Sequence, residues 1–243
     1  MDRPSFWIDK DSALALKPKD LDRYDKYKAK NVRIGLHGDD SKSVRLIVKA
    51  TDLSVGYSTP LFANKNFELR DNDKLEIRGR NGTGKSTLVK VLLGEPDPQV
   101  FAGEVTRELN IRIGIYWQEV PSNYFKLPLK NAIEQIYLNQ DINITETKVR
   151  QLLSDYLFNE DDYKTLVADL SGGQKARLQI IAMLANDPQL LVLDEPTSHL
   201  DLPSIEELET ALLHFRGAIL YISHDNYFRH KLGGRVVELW LFV

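Results

Sequence analysis

The residues Gly79-Arg80-Asn81-Gly82-Thr83-Gly84-Lys85-Ser86-Thr87 constrain this chain more than any other stretch. They follow the pattern G-x-x-x-x-G-K-[ST]. The run before them, Lys74-Leu75-Glu76-Ile77-Arg78, alternates polar and apolar residues as a strand does. The run after them, Ser86 to Leu93, reads as a helix that ends near Gly94. Strand, glycine loop and helix together are the setting in which this pattern cradles a polyphosphate. The glycines let backbone N–H groups approach phosphate oxygens, and the helix N-terminus adds partial positive charge. Lys85 is placed to reach β- and γ-phosphates, and Ser86 to offer a hydroxyl to Mg²⁺. A glycine turn beside a lone lysine would need neither the strand nor the helix.

Composition narrows the setting. At 243 residues with 42% hydrophobic content, the chain can build a core and suits one large domain, or a domain with an appendage. No apolar run approaches the roughly 18 residues that cross a bilayer. Met1-Asp2-Arg3-Pro4 lacks the layout of a secretory signal. With no cysteine, disulfides and cysteine-ligated metal sites are excluded. A cytoplasmic protein fits these features. The net charge of −3 hides an asymmetry: residues 1–50 carry 12 Lys/Arg against 8 Asp/Glu, and the remainder is acidic. A basic segment on an acidic body suits an anionic partner such as RNA, or simply a solvated helix face.

Periodicity divides the chain at about residue 43. Residues 1–43 read as an arm containing Phe6, Trp7 and Ile8, then a charged helix over 19–31, then a polar loop from Gly35 to Ser43. Residues 44–243 read as a β-rich cap followed by an α/β core. The run 103–118 is strand-like and ends in Gln118. From about 119 to 170 the apolar spacing becomes helical, with Leu129, Ile133 and Ile136, then Val149, Leu152 and Leu153. Leu190–Leu193, Ala218–Ser223 and Arg235–Leu241 read as buried strands, and Ser204–His214 as a helix.

Five further elements follow the glycine loop in order. They are Gln118, then Leu170-Ser171-Gly172-Gly173-Gln174 opening a helix, then Leu190-Leu191-Val192-Leu193-Asp194-Glu195. Ser198-His199-Leu200-Asp201 comes next, and His224 closes the strand Leu220-Tyr221-Ile222-Ser223. Over roughly residues 45–240 the chain resembles the nucleotide-binding domain of an ABC ATPase, with Walker A, Q-loop, signature, Walker B, D-loop and H-loop motifs.

The resemblance implies a P-loop NTPase fold of the α/β class: an antiparallel β subdomain, a RecA-like core and a helical insert. It implies ATP hydrolysis with Mg²⁺, weak in an isolated single domain unless it self-associates. Asp194 would hold the metal together with Ser86 and Gln118. Glu195 would act as base or orienter of the attacking water, with Gln118 also near that water and His224 near the γ-phosphate. Tyr57 lies where the family places an aromatic that stacks on adenine. His37, His214 and His230 are read as structural. Ser171, Gly172, Gly173, Gln174 and Asp201 would act in trans, closing over nucleotide held by a second ABC domain of the same or another chain.

Within this family the stretch Glu195-Pro196-Thr197-Ser198-His199-Leu200-Asp201 is similar to the soluble ABC-F branch. So are Ile222-Ser223-His224-Asp225-Asn226-Tyr227-Phe228 and Ser171-Gly172-Gly173-Gln174-Lys175-Ala176-Arg177. The N-terminal arm and basic helix resemble the end of the linker that joins two ABC domains there. That likeness implies a ribosome-associated ATPase acting in translation or antibiotic resistance, contacting RNA through the linker. It also implies a piece of a longer protein, which an end on the strand Leu241-Phe242-Val243 would fit. The ATPase subunit of a membrane transporter is the alternative.

Overall fold

The computed structural model of the chain describes residues 45–240. The arm, the charged helix and the loop expected over 1–43 lie outside the described residues, as does the final Leu241-Phe242-Val243.

Two sheets organise the molecule. Strand β1 (Leu46–Gly56) pairs antiparallel with β2 (Pro60–Arg70) on one side and with β4 (Gln99–Arg107) on the other. The second sheet is parallel, in the order β5-β6-β7-β3-β8. Its strands are β3 (Lys74–Arg78), β5 (Ile113–Tyr116), β6 (Leu190–Asp194), β7 (Ala218–Ile222) and β8 (Arg235–Glu238). β6 and β7 are buried along their whole length. Both faces of a central parallel strand are covered, so such strands read as unbroken apolar runs. Leu190 and Val192 face one core, shared with Ile47, Phe62, Leu75 and Leu88 between the two sheets. Leu191 and Leu193 face another, with Tyr116, Leu208, Tyr221 and Phe228.

The helices are α1 (Lys85–Leu93), α2 (Leu129–Leu138), α3 (Glu146–Asp155), α4 (Gly172–Leu184), α5 (Leu202–His214) and α6 (Asn226–Leu232). α2 and α3 build a third core around Leu129, Ile133, Val149 and Leu153. α4 is the seam, because Leu178 and Ile181 join that core while Ala176 and Met183 join the core under the parallel sheet.

Two expectations change. The run 103–118 is not one strand region: β4 ends at Arg107 in the antiparallel sheet, and β5 starts at Ile113 in the parallel one. The strand from Arg235 is exposed at three of its four positions, because β8 is the sheet edge and pairs only with β3 among the described residues. The parallel sheet matters most for function. The chain leaves β3, β5, β6 and β7 at one common edge, where open α/β sheets bind ligands.

Candidate nucleotide site

β3 delivers the glycine loop to that edge. Gly82 and Gly84 have φ of 82° and 90°, a left-handed backbone that L side chains rarely adopt. Gly84 also lies against Leu61 and Phe62, where a Cβ would come within 3.1 Å of the Phe62 ring. The Thr83 hydroxyl donates to the Arg80 carbonyl at 2.8 Å and ties the loop to itself. Lys85 Nζ donates to the carbonyls of Gly79 (3.0 Å) and Arg80 (3.2 Å). The ammonium is therefore poised over the loop by contacts that phosphate oxygens can replace. Ser86 and Thr87 follow on the first turn of α1.

β6 delivers two carboxylates. Asp194 is 5% exposed and accepts a hydrogen bond from the Ser86 hydroxyl at 2.8 Å. Burial pushes its carboxyl above the usual carboxylate range, against the opposing pull of the Ser86 hydroxyl and the Lys85 charge. Glu195 comes next with φ 51°, a conformation that costs a non-glycine residue roughly 1–2 kcal/mol. Two contacts hold it there. Its N–H donates to the Ile222 carbonyl at 3.0 Å, and its Oε2 accepts the His224 N–H at 3.0 Å. Glu195 Oε1 is buried without a hydrogen-bond partner and lies 3.4 Å from His224 Nε2. β7 thus delivers His224, whose side chain is otherwise more than half exposed.

These residues form one cluster: loop, Lys85, Ser86, Asp194, Glu195 and His224. Gln118 and Tyr57 stand outside its hydrogen bonds. Gln118 lies two residues past β5 in a cleft of about 360 Å³, beside Gly172, Lys175, Ser198 and His199. Tyr57 is 40% exposed in the turn between β1 and β2. Ser171 caps α4: its hydroxyl accepts from the Gln174 N–H at 3.3 Å, while Gln174 Oε1 accepts from the Ser171 N–H at 2.9 Å. Gly173 is half-buried but has open space beside it, with nothing within 4 Å of where a Cβ would stand. Asp201 caps α5 by accepting from the Ser204 N–H at 3.1 Å.

One supporting residue escaped the sequence reading. Asp162 accepts from Gln174 Nε2 at 2.8 Å and so ties the start of α4 to the helical insert. Nothing in its local sequence marks it, since the contact depends on how the insert folds back.

A hard divalent cation fits this site. The Ser86 hydroxyl and Asp194 carboxylate already touch, the carboxylate is buried, and the Glu195 Oε1 nearby lacks a partner. Mg²⁺ takes few protein ligands and fills the rest with water and phosphate oxygens. Among the described residues no group of three or more His, Cys, Asp or Glu could hold a metal ion by itself.

The family model described as ABC transporter matches residues 62–198. A probable ATP-binding protein YbiT from Escherichia coli O157:H7 is 37% identical over 202 residues, covering 82% of this chain and 37% of that protein. The ribosome protection protein VmlR of Bacillus subtilis is 34% identical, covering 70% of this chain and 30% of that one. ABC transporter F family member 2 of Arabidopsis thaliana is 34% identical, covering 81% and 29%. The chain thus spans about a third of the length of these relatives. Among solved structures, the ATP-binding subunit of an ABC transporter aligns with a TM-score of 0.68 at 21% identity, covering 79% of this chain and 85% of that one. That likeness concerns the fold.

Proposed function

The chain belongs to the ABC transporter family of ATPase domains, whose members bind and hydrolyse ATP, and from that premise we propose that it is an ABC-F-type ATPase acting on the ribosome. The cluster of Lys85, Ser86, Asp194, Glu195 and His224 at one sheet edge carries the ATPase part. Loop N–H groups and Lys85 bind and orient the phosphates. Ser86 and Asp194, with Gln118, would hold Mg²⁺, which supplies charge neutralisation when bound. Glu195 accepts a proton from, or orients, the water that attacks the γ-phosphorus. Its Oε1 is free to do so while Oε2 stays bound to the His224 N–H. His224 Nε2 faces the same oxygen and can meet the γ-phosphate. Tyr57 stacks on the adenine. Ser171, Gly172, Gly173, Gln174 and Asp201 act on nucleotide held by a second ABC domain, of the same or another chain. The open space beside Gly173 supports that role.

The ribosomal part rests on likeness to relatives of the F family and to one named for ribosome protection. The basic first 50 residues add support for RNA as partner. A cytoplasmic location and a role in translation or antibiotic protection follow from the same reading. No helix among the described residues is long and apolar enough to cross a membrane.

The test is co-sedimentation of the Glu195→Gln protein with ribosomes, with and without ATP. ATP-dependent pelleting is expected. Retained ATP binding without pelleting would overturn the ribosomal reading and favour the transporter subunit.

A further inference from the structure

The residues that face the nucleotide do not explain a buried charge cluster beneath it. Glu76, in the middle of β3, is 3% exposed. Arg78 grips its carboxylate from the same strand, with Nε and Nη2 each at 2.8 Å. Arg229 of α6 brings a second guanidinium, with Nε 2.6 Å from Oε1 in a close ionic contact that lacks hydrogen-bond alignment. On the other side of α6, Lys231 Nζ lies 2.6 Å from the Glu209 carboxylate of α5, and Glu209 is 2% exposed. Two buried carboxylates on two different elements therefore clamp one seven-residue helix.

Burying charge in this way is an expensive means of gaining stability, and apolar residues of similar volume would serve as well or better. What ion pairs add is a defined position. α6 already has an apolar anchor, since Phe228 is fully buried and meets the Tyr221 ring edge-on at 6.0 Å. Leu232 on the next turn is buried as well, and the Tyr221 hydroxyl donates to the Gly233 carbonyl at 2.9 Å just past the helix. Arg229 and Lys231 add charged fixed points on opposite sides of the helix. The consequence falls on the residues just before the helix. Asp225 caps α6 through the N–H groups of Tyr227 (2.8 Å) and Phe228 (3.1 Å). The preceding His224 donates its N–H to Glu195 Oε2. Any slide of α6 moves that donor and the imidazole together.

We propose that Glu76 and Arg229, with Glu209 and Lys231 on the opposite side, are positioning residues for the His224–Glu195 pair and act through α6. The proposal rests on the ATPase reading of the same site. β3, which carries Glu76, runs directly into the glycine loop. The clamp therefore registers the γ-phosphate partner His224 against the strand that holds the phosphates.

The test is a double-mutant cycle on ATP hydrolysis. Arg229→Met keeps volume and leaves Glu76 paired with Arg78, so no carboxylate is stranded. It is expected to lower kcat about tenfold, with ATP affinity within about twofold of wild type. Combined with His224→Ala, it should add less than about a twofold further loss, because both changes remove the same function. Multiplicative losses, or a change in ATP affinity with kcat intact, would overturn the positioning role. Should Arg229→Met fail to fold, Lys231→Met with Glu209→Gln releases the other side of α6 and is read by the same cycle. A wild-type chain that binds ATP and self-associates, yet does not turn it over, would sink the ATPase reading and this proposal with it. Turnover with multiplicative losses would sink the proposal alone.

Discussion

Asp194 holds a charge where the ligand-free protein would rather have none. Its carboxyl is raised by burial, so the native state keeps a proton to higher pH than the unfolded chain does. Between the ordinary carboxylate range and that raised value, stability falls as pH rises. Above it, the full cost of the buried charge is in force. The Asp194→Asn chain is therefore expected to melt at a higher temperature than wild type at pH 7 in the absence of nucleotide. The difference should vanish below the ordinary carboxylate range, and thermal melts across pH check both points. On the proposed assignment the same variant also lacks a metal ligand, and it should lose Mg²⁺-dependent hydrolysis. On that assignment function is held against stability, and the left-handed backbone of Glu195 is a second cost of the same kind.

At the scale of elements, β5 and α4 approach each other so closely that only glycine fits at position 114. A Cβ there would overlap the carbonyl oxygen of Met183. Gly114→Ala is expected to destabilise the protein by about 1–3 kcal/mol, read as a lower midpoint in urea with an unchanged slope. It should also move Gln118, which hangs from the end of β5. Elements of this kind were unevenly legible. β6 and β7 could be read from the chain because central parallel strands leave apolar runs, β3 from its alternation of polar and apolar residues, and α1 because glycines bracket it. The region 103–118 was not divisible in advance. Its two halves share strand-like residues, and only pairing partners assign them to different sheets. The exposure of β8 was hidden for the same reason, since an edge position belongs to the sheet and not to the sequence of the strand. The residues Asp194, Glu195 and His224 stood out by their places at strand ends. Glu76, Asp162 and Arg229 did not, because each acquires meaning from a partner far away in sequence.

Across the whole molecule, the sheet order explains why motifs so scattered in sequence meet. The chain leaves four parallel strands at one edge, which brings residues near 80, 118, 194 and 224 together there. The helical insert stands beside this edge with its own core, joined to the rest through α4. The start of α4 and the turn before α5 carry Ser171, Gly173 and Asp201, which are spent on caps or have open space beside them. On this account they await a second ABC domain, and the chain's own cluster of Lys85, Asp194, Glu195 and His224 carries out the chemistry. The most direct test compares ATP binding and phosphate release for wild type and Glu195→Gln under identical conditions. The account predicts equal ATP affinity and phosphate release at least about a hundredfold slower in the variant. Equal rates of phosphate release from the two proteins, each with ATP bound, would contradict it.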